Sequence, residues 1–255
     1  MSTKVNLLGI GVNAVNLEQT LTVVSAMIER QERGIICLAP AHNLMAGRRD
    51  ARLREVLNRS KLTMPDGMGT VWFLRLLGRR AGRVYGPDLM LVASQRGGAP
   101  GWRHFFLGGT PEVLHRLKVR LQKDSPNLLI SGSYSPPFGS LDPGDEQAMI
   151  QAINSSQADI LWVALGSPRQ ELWMAENRDK LQPTLLIGVG AAFDFLSGAK
   201  PQAPAWIQRA GLEWLFRLFS EPRRLWRRYA AYPLFVVLAL GQWLGLTHYP
   251  LNEAG

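Results

Sequence analysis

Between residues 104 and 189 the chain alternates short apolar runs with stretches of helical periodicity, and nothing else in the sequence restricts the fold as tightly. Residues 104–107, 128–130, 160–165 and 184–189 read as strands. Residues 111–122, 146–155 and 168–180 between them read as helices. Strands that run parallel need a crossover between them, and a helix supplies it while covering a face of the sheet. Strand–helix alternation of this kind argues a sheet covered on both faces. The pattern predicts an α/β domain: a Rossmann-like, mainly parallel sheet with helices on both faces.

Upstream the pattern continues more loosely. A buried strand is expected over 5–10, a helix over 17–31 with Leu17, Leu21, Val24 and Ile28 on one face, and a strand over 35–39. A charge-laced helix over 48–59, a strand over 62–64, and helices over 68–77 and 88–95 follow. Near residue 200 the character changes. Pro201 and Pro204 break the chain, and Trp206, Trp214, Phe216, Phe219, Trp226 and Tyr229 are then interleaved with arginines. The expected division is an α/β catalytic domain over 1–199 and a basic, aromatic, helical appendage over 200–255 that associates with membrane.

The formal net charge is +9, and residues 200–229 alone hold seven basic against two acidic residues. Such a balance suits an anionic partner: nucleic acid, lipid or phosphate. Because the basic stretch runs straight into the apolar residues 230–246, a membrane surface is expected and nucleic acid is not. Seventeen residues fall short of the roughly 20 needed to span, so a helix lying in or dipping into the interface is expected. The start of the chain has no signal-peptide pattern, which places the protein at the cytoplasmic face of the membrane, peripheral or C-terminally anchored. Cys37 is the single cysteine, so no internal disulfide is available. The four histidines are scattered without ligand spacing. No metal and no cofactor are expected; a homo-oligomer is left open.

Several strand ends carry chemistry. Gly9-Ile10-Gly11-Val12-Asn13-Ala14 fits G-x-G-x-x-A, the phosphate turn of a dinucleotide-binding oxidoreductase. The acid that should close the second strand is missing, since that strand ends Leu38-Ala39-Pro40. In Pro65-Asp66-Gly67-Met68-Gly69, Asp66 is either a general base for an acceptor hydroxyl or a helix N-cap. Gly108-Gly109-Thr110-Pro111 is either a phosphate-binding helix start, with Gly109 at close approach, or an ordinary capped turn. Gln170, in Gly166-Ser167-Pro168-Arg169-Gln170-Glu171, can hydrogen-bond a sugar or base, or belong to a capping box. Asp194 lies among apolar residues, where a buried carboxylate demands a partner; it is either a donor-binding residue beside the small residues after the last strand or a purely structural aspartate. Arg217, Arg224 and Arg227 share a face if their helix is continuous, and three guanidiniums suit a diphosphate as well as lipid headgroups.

Taken in order, these stretches resemble the bacterial WecG/TagA/CpsF glycosyltransferases. The resemblance runs from about residue 5 to Tyr229 and also includes Gly86-Pro87-Asp88, Phe106-Leu107-Gly108-Gly109, Gly188 to Phe195, Gly211-Leu212-Glu213-Trp214 and Glu221-Pro222-Arg223-Arg224. It implies an inverting, metal-independent transfer from a UDP-sugar donor to a polyprenyl-diphosphate-linked sugar acceptor, in cell-surface or exopolysaccharide biosynthesis. Asp66 would be the base, Gln170 would line the donor pocket, and Arg217, Arg224 and Arg227 would hold diphosphate charge in place of a cation. The family's Thr-x-Asn pattern after the second strand is absent. That stretch reads Leu38-Ala39-Pro40-Ala41-His42-Asn43, so His42 or Asn43 would take its place, and N-acetylmannosamine is not assumed as the sugar.

Overall fold

The computed structural model describes residues 3–137 and 142–251; the outermost residues of the expected 1–199 and 200–255 divisions fall outside them. The first elements are β1 (Lys4–Leu7), β2 (Ile10–Asn13), α1 (Leu17–Glu29), β3 (Gly34–Leu38), α2 (Ala41–Arg49), α3 (Ala51–Arg59), β4 (Leu62–Met64) and α4 (Met68–Leu76). Then come α5 (Gly86–Gly97), β5 (Arg103–Gly108), α6 (Pro111–Asp124), β6 (Leu129–Tyr134), α7 (Pro143–Ser155), β7 (Ile160–Ala164), α8 (Arg169–Asn177), β8 (Leu185–Gly188) and α9 (Ala192–Leu196). Four helices end the chain: α10 (Ala205–Arg209), α11 (Glu213–Ser220), α12 (Pro222–Tyr229) and α13 (Tyr232–Trp243).

Six strands form one sheet in the order β4-β3-β8-β7-β5-β6. The pairs β5–β6, β5–β7 and β7–β8 are parallel. The expected mainly parallel α/β sheet is therefore present. The chain divides into two compact units, one of Met1–Thr20, Cys37–Tyr85 and Pro201–Gly255, the other of Leu21–Ile36 and Gly86–Lys200.

In the second unit the most apolar strand is deeply buried. Ile160, Leu161, Trp162 and Val163 of β7 are wholly excluded from solvent. Against the sheet, α6 buries Leu114, Leu117 and Leu121 along one stripe. Its start matches the sequence reading: Thr110 caps the helix by accepting from Val113 N at 3.3 Å, and Pro111 occupies the first turn. In the core, His104 accepts a hydrogen bond at Nδ1 from Trp162 Nε1, 3.0 Å away.

The first unit departs from the sequence reading at its start. Residues 5–10 are not one strand: β1 and β2 form a separate antiparallel hairpin, with Leu7 opposite Ile10. Leu8 and Gly9, at φ 57° and 85°, make the turn, and two successive left-handed residues suit the right-handed twist of paired strands. Gly9-x-Gly11 is thus a hairpin, not a strand-to-helix phosphate turn, and the oxidoreductase reading loses its main support. The charged stretch expected as one helix over 48–59 is also two: α2 ends at Arg49, and Asp50 caps α3 by accepting from Arg52 N and Leu53 N.

The same unit holds the C-terminal helices. Helix α13 buries Phe235 and Ala239, and Phe235 meets the Phe73 ring edge-on at 6.3 Å. Gln242 then clasps the hairpin. Its Oε1 accepts from Leu8 N at 2.8 Å, and its Nε2 donates to Asn6 O at 3.0 Å. Leu234, Val236, Val237, Leu240 and Trp243 are left exposed. The helix has 12 residues, about 18 Å at the α-helical rise. No helix among the described residues is long and apolar enough to cross a membrane.

Candidate active site

In the second unit, the loops after β5, β7 and β8 lie close together. Gly108 has φ 117°, and a side chain there would strike Ala164 O at 2.5 Å, so glycine is what lets β5 and β7 end side by side. Gly109 follows at φ 70°, and Ser135 Oγ donates to its carbonyl at 2.7 Å. Gln170 is almost fully buried in the first turn of α8. Its Oε1 accepts from Gly190 N at 3.1 Å, and its Nε2 donates to Glu171 Oε1 at 3.0 Å. The amide therefore ties the start of α8 to the loop leaving β8. Asp194, on the five-residue α9, has the partner its setting demands: Lys200 Nζ lies 2.7 Å from it, with both side chains about a quarter exposed. Three of the expected donor residues, Gly109, Gln170 and Asp194, thus sit at the ends of three neighbouring strands.

In the first unit, Asn43 is buried on α2 and donates to Leu38 O at 3.0 Å, bracing the helix against the end of β3. His42, one residue earlier, is half-buried. Asp66 follows β4 and precedes α4. The residue in the capping position is Gly67, at φ 89°, so Asp66 stands one residue ahead of it. Its carboxylate lies 3.8 Å from Arg83 Nε.

Arg83 is the centre of a cluster that no local spacing announces. It pairs with Glu213 of α11, donates to Gln208 of α10 at 3.0 Å, and stacks its guanidinium over Tyr85 at 3.9 Å. Burial works against its charge, but Asp66 and Glu213 outweigh that and hold its proton more tightly than usual. Tyr85 and Tyr232 are pushed far above the ordinary phenol range, by burial first. Glu213 and Asp66 push Tyr85 further, Tyr229 and Asp66 push Tyr232 further, and Arg217 opposes the shift in both. Both phenols therefore stay protonated and neutral at physiological pH. Asp66 and Arg217, one from each end of the unit's sequence, act on the same two tyrosines.

The three arginines expected on one face are split between two helices. Helix α11 ends at Ser220, Glu221 leaves helical geometry, and α12 starts at Pro222, which cannot donate to continue the helix. Arg217 belongs to α11; Arg224 and Arg227 lie three apart on α12. Arg227 is exposed, with its guanidinium 5.4 Å from the Trp226 ring centroid. The residues that sequence reading missed are Arg83, Tyr85, Gln208 and Tyr232. Glu213 stood within a motif but without a role. Each is joined to Asp66 by tertiary packing, and only a search for partners of the buried arginine would have linked them.

A profile of the glycosyl transferases of the WecG/TagA/CpsF family matches residues 5–249. The match takes in the hairpin, the sheet, the Asp66 cluster and the helices after residue 200. With nearly the whole sequence inside it, the chain belongs to the WecG/TagA/CpsF family of glycosyl transferases.

Proposed function

We propose that the protein transfers a sugar from a UDP-sugar to a polyprenyl-diphosphate-linked acceptor, with inversion, at the cytoplasmic face of the bacterial plasma membrane. The observation that carries this reading is the Asp66 carboxylate 3.8 Å from the Arg83 guanidinium, with Arg217 acting on the same two tyrosines as Asp66. A base and a fixed cation are the two groups such a transfer asks of the protein. The acceptor hydroxyl forms its bond to the anomeric carbon while the bond from that carbon to the UDP oxygen breaks. The hydroxyl proton passes to Asp66. The diphosphate leaves carrying negative charge, which Arg217, Arg224 and Arg227 meet with guanidinium forks. Gly109, Gln170 and Asp194, with His42 or Asn43, are the donor-side residues in this reading.

The membrane assignment draws on the apolar face of α13 and on the exposed Trp206, Phe219 and Trp226 of the helices before it. Arginines interleave with them in sequence. A short helix with one buried and one exposed apolar face suits attachment in the plane of the interface.

The test is a screen of UDP-sugars against a short-chain lipid-diphosphate-sugar, run with and without EDTA and repeated with Asp66→Asn. One UDP-sugar should support turnover, EDTA should leave it intact, and Asp66→Asn should lower kcat by about a hundredfold or more with donor binding kept. Dependence on added magnesium or manganese, or near-normal kcat in the variant, would sink the reading.

A further inference from the structure

Helix α4 carries a face that the fold leaves uncovered. Its inner side is packed: Val71 and Leu74 are wholly excluded from solvent, and Phe73 meets Phe235 of α13 edge-on. On the outer side stand Trp72, Arg75 and Leu76, spaced three and four apart and so on one face. Trp72 is 50% exposed and Leu76 42%. The turn between α10 and α11 extends this ridge. At Gly211, φ 71°, a side chain would strike Trp72 Cη2 at 2.5 Å, so the backbone there lies against the indole. The next residue, Leu212, is exposed again. The ridge is rimmed by positive charge. From Gly67 to Pro87 the chain holds Arg75, Arg79, Arg80 and Arg83 and no acidic residue. Arg83 turns inward to Asp66 and Glu213; the other three are exposed. Arg75 donates from Nε to Ala81 O at 2.9 Å, and none of the three forms an ion pair among the described residues.

We propose that the outer face of α4 is a docking surface for an anionic phospholipid bilayer. Trp72, Leu76 and Leu212 enter the interface, and Arg75, Arg79 and Arg80 meet lipid phosphates. The inference rests on the reading of the protein as membrane-attached and adds to it a contact outside α13. Tryptophan prefers the headgroup level of a bilayer. Arginine pairs with phosphate through its fork, and each basic residue near an anionic surface strengthens attachment. An apolar protein partner would leave three guanidiniums unmatched, and a nucleic-acid duplex would leave the leucines in water; a lipid surface satisfies both. Asp66 just precedes this nine-residue helix, which is about 14 Å long at the α-helical rise. Docking along its outer face therefore brings the expected base near a lipid-borne acceptor.

The test is sedimentation of the full-length protein with vesicles of equal parts phosphatidylglycerol and phosphatidylcholine. At low salt, Arg79→Glu with Arg80→Glu should lower affinity about tenfold or more. The same change of charge at the exposed Arg30 and Lys123, as Arg30→Glu with Lys123→Glu, should lower it by less than about threefold. Equal losses in the two variants overturn the proposal, because they reduce the effect to net charge. In high salt, Leu76→Asn should weaken binding about threefold, and an unchanged affinity there overturns it as well. If the charge-reversed chain does not fold, Arg79→Gln with Arg80→Gln takes its place, and an unmoved affinity overturns the proposal equally. Loss of oligonucleotide binding or of self-association in the variant, with vesicle affinity unmoved, assigns the surface to another occupant and overturns it too. A wild type that fails to sediment with vesicles removes the membrane reading itself; a wild type that binds, with α4 variants that bind as well, removes only this surface.

Discussion

At the scale of single residues, buried polar groups decide both chemistry and stability. His104 is wholly excluded from solvent, and burial pushes its imidazole down to about 4. Because Nδ1 accepts from Trp162, its proton sits on Nε2, which meets no acceptor among the described residues. The imidazole is therefore neutral in the fold but protonates near 6.5 in the unfolded chain. Its contribution to stability is present above pH 6.5 and is lost as pH falls towards 4, by at most about 3 kcal/mol. Urea unfolding between pH 7 and 4.5 should show a shallower slope in His104→Gln, which keeps an acceptor for Trp162, than in wild type; equal slopes would refute this. Asp66 was legible as a candidate because a carboxylate at the C-terminal edge of a parallel sheet sits where such folds keep their ligands. Its partners were not, because an arginine and a glutamate far apart in sequence give no local signal.

At the scale of elements, legibility follows the range of the forces involved. The strands and helices from 104 to 189 are written in short-range periodicity, and the Thr110-Pro111 cap is a local hydrogen bond, so both could be read. The hairpin could not, because it turns on a leucine in the left-handed region, which side chains of that size rarely adopt. The break between α2 and α3 was readable in principle, since Asp50 is a good cap residue, but the surrounding charges hid it. Helix α13 owes its place to tertiary contacts that include the Gln242 clasp. Gln242→Ala removes both hydrogen bonds and leaves Leu8 N–H and Asn6 C=O without that partner. It should lower stability by about 1–3 kcal/mol, read as a lower denaturation midpoint at unchanged m-value. An unchanged midpoint would mean that α13 is held by its apolar face alone.

At the scale of the whole molecule, a net charge of +9 and an exposed apolar face would give the proposed membrane attachment two separable parts. The electrostatic part weakens with salt and with loss of anionic lipid; the apolar part does not. Val237 and Leu246 are 65% and 76% exposed, so replacing both with glutamate disturbs little packing. Each lost apolar contact costs about 1.5 kcal/mol or more, and vesicle affinity in high salt should drop at least about tenfold. Equal sedimentation of wild type and this double variant with vesicles would remove α13 and the residues just after it as a lipid contact. The Gln242 clasp also sets a timetable for biosynthesis. Leu8 and Gln242 are 234 residues apart, so at roughly 5–20 residues per second the hairpin leaves the ribosome on the order of ten to fifty seconds before its clasp is made. During that interval the segment Gly86–Lys200 emerges and can begin to fold, while the amino-terminal strands wait without their cover. The surface proposed to meet lipid thus lies on helices made long after the hairpin, and the hairpin stays without its clasp until Gln242 has emerged.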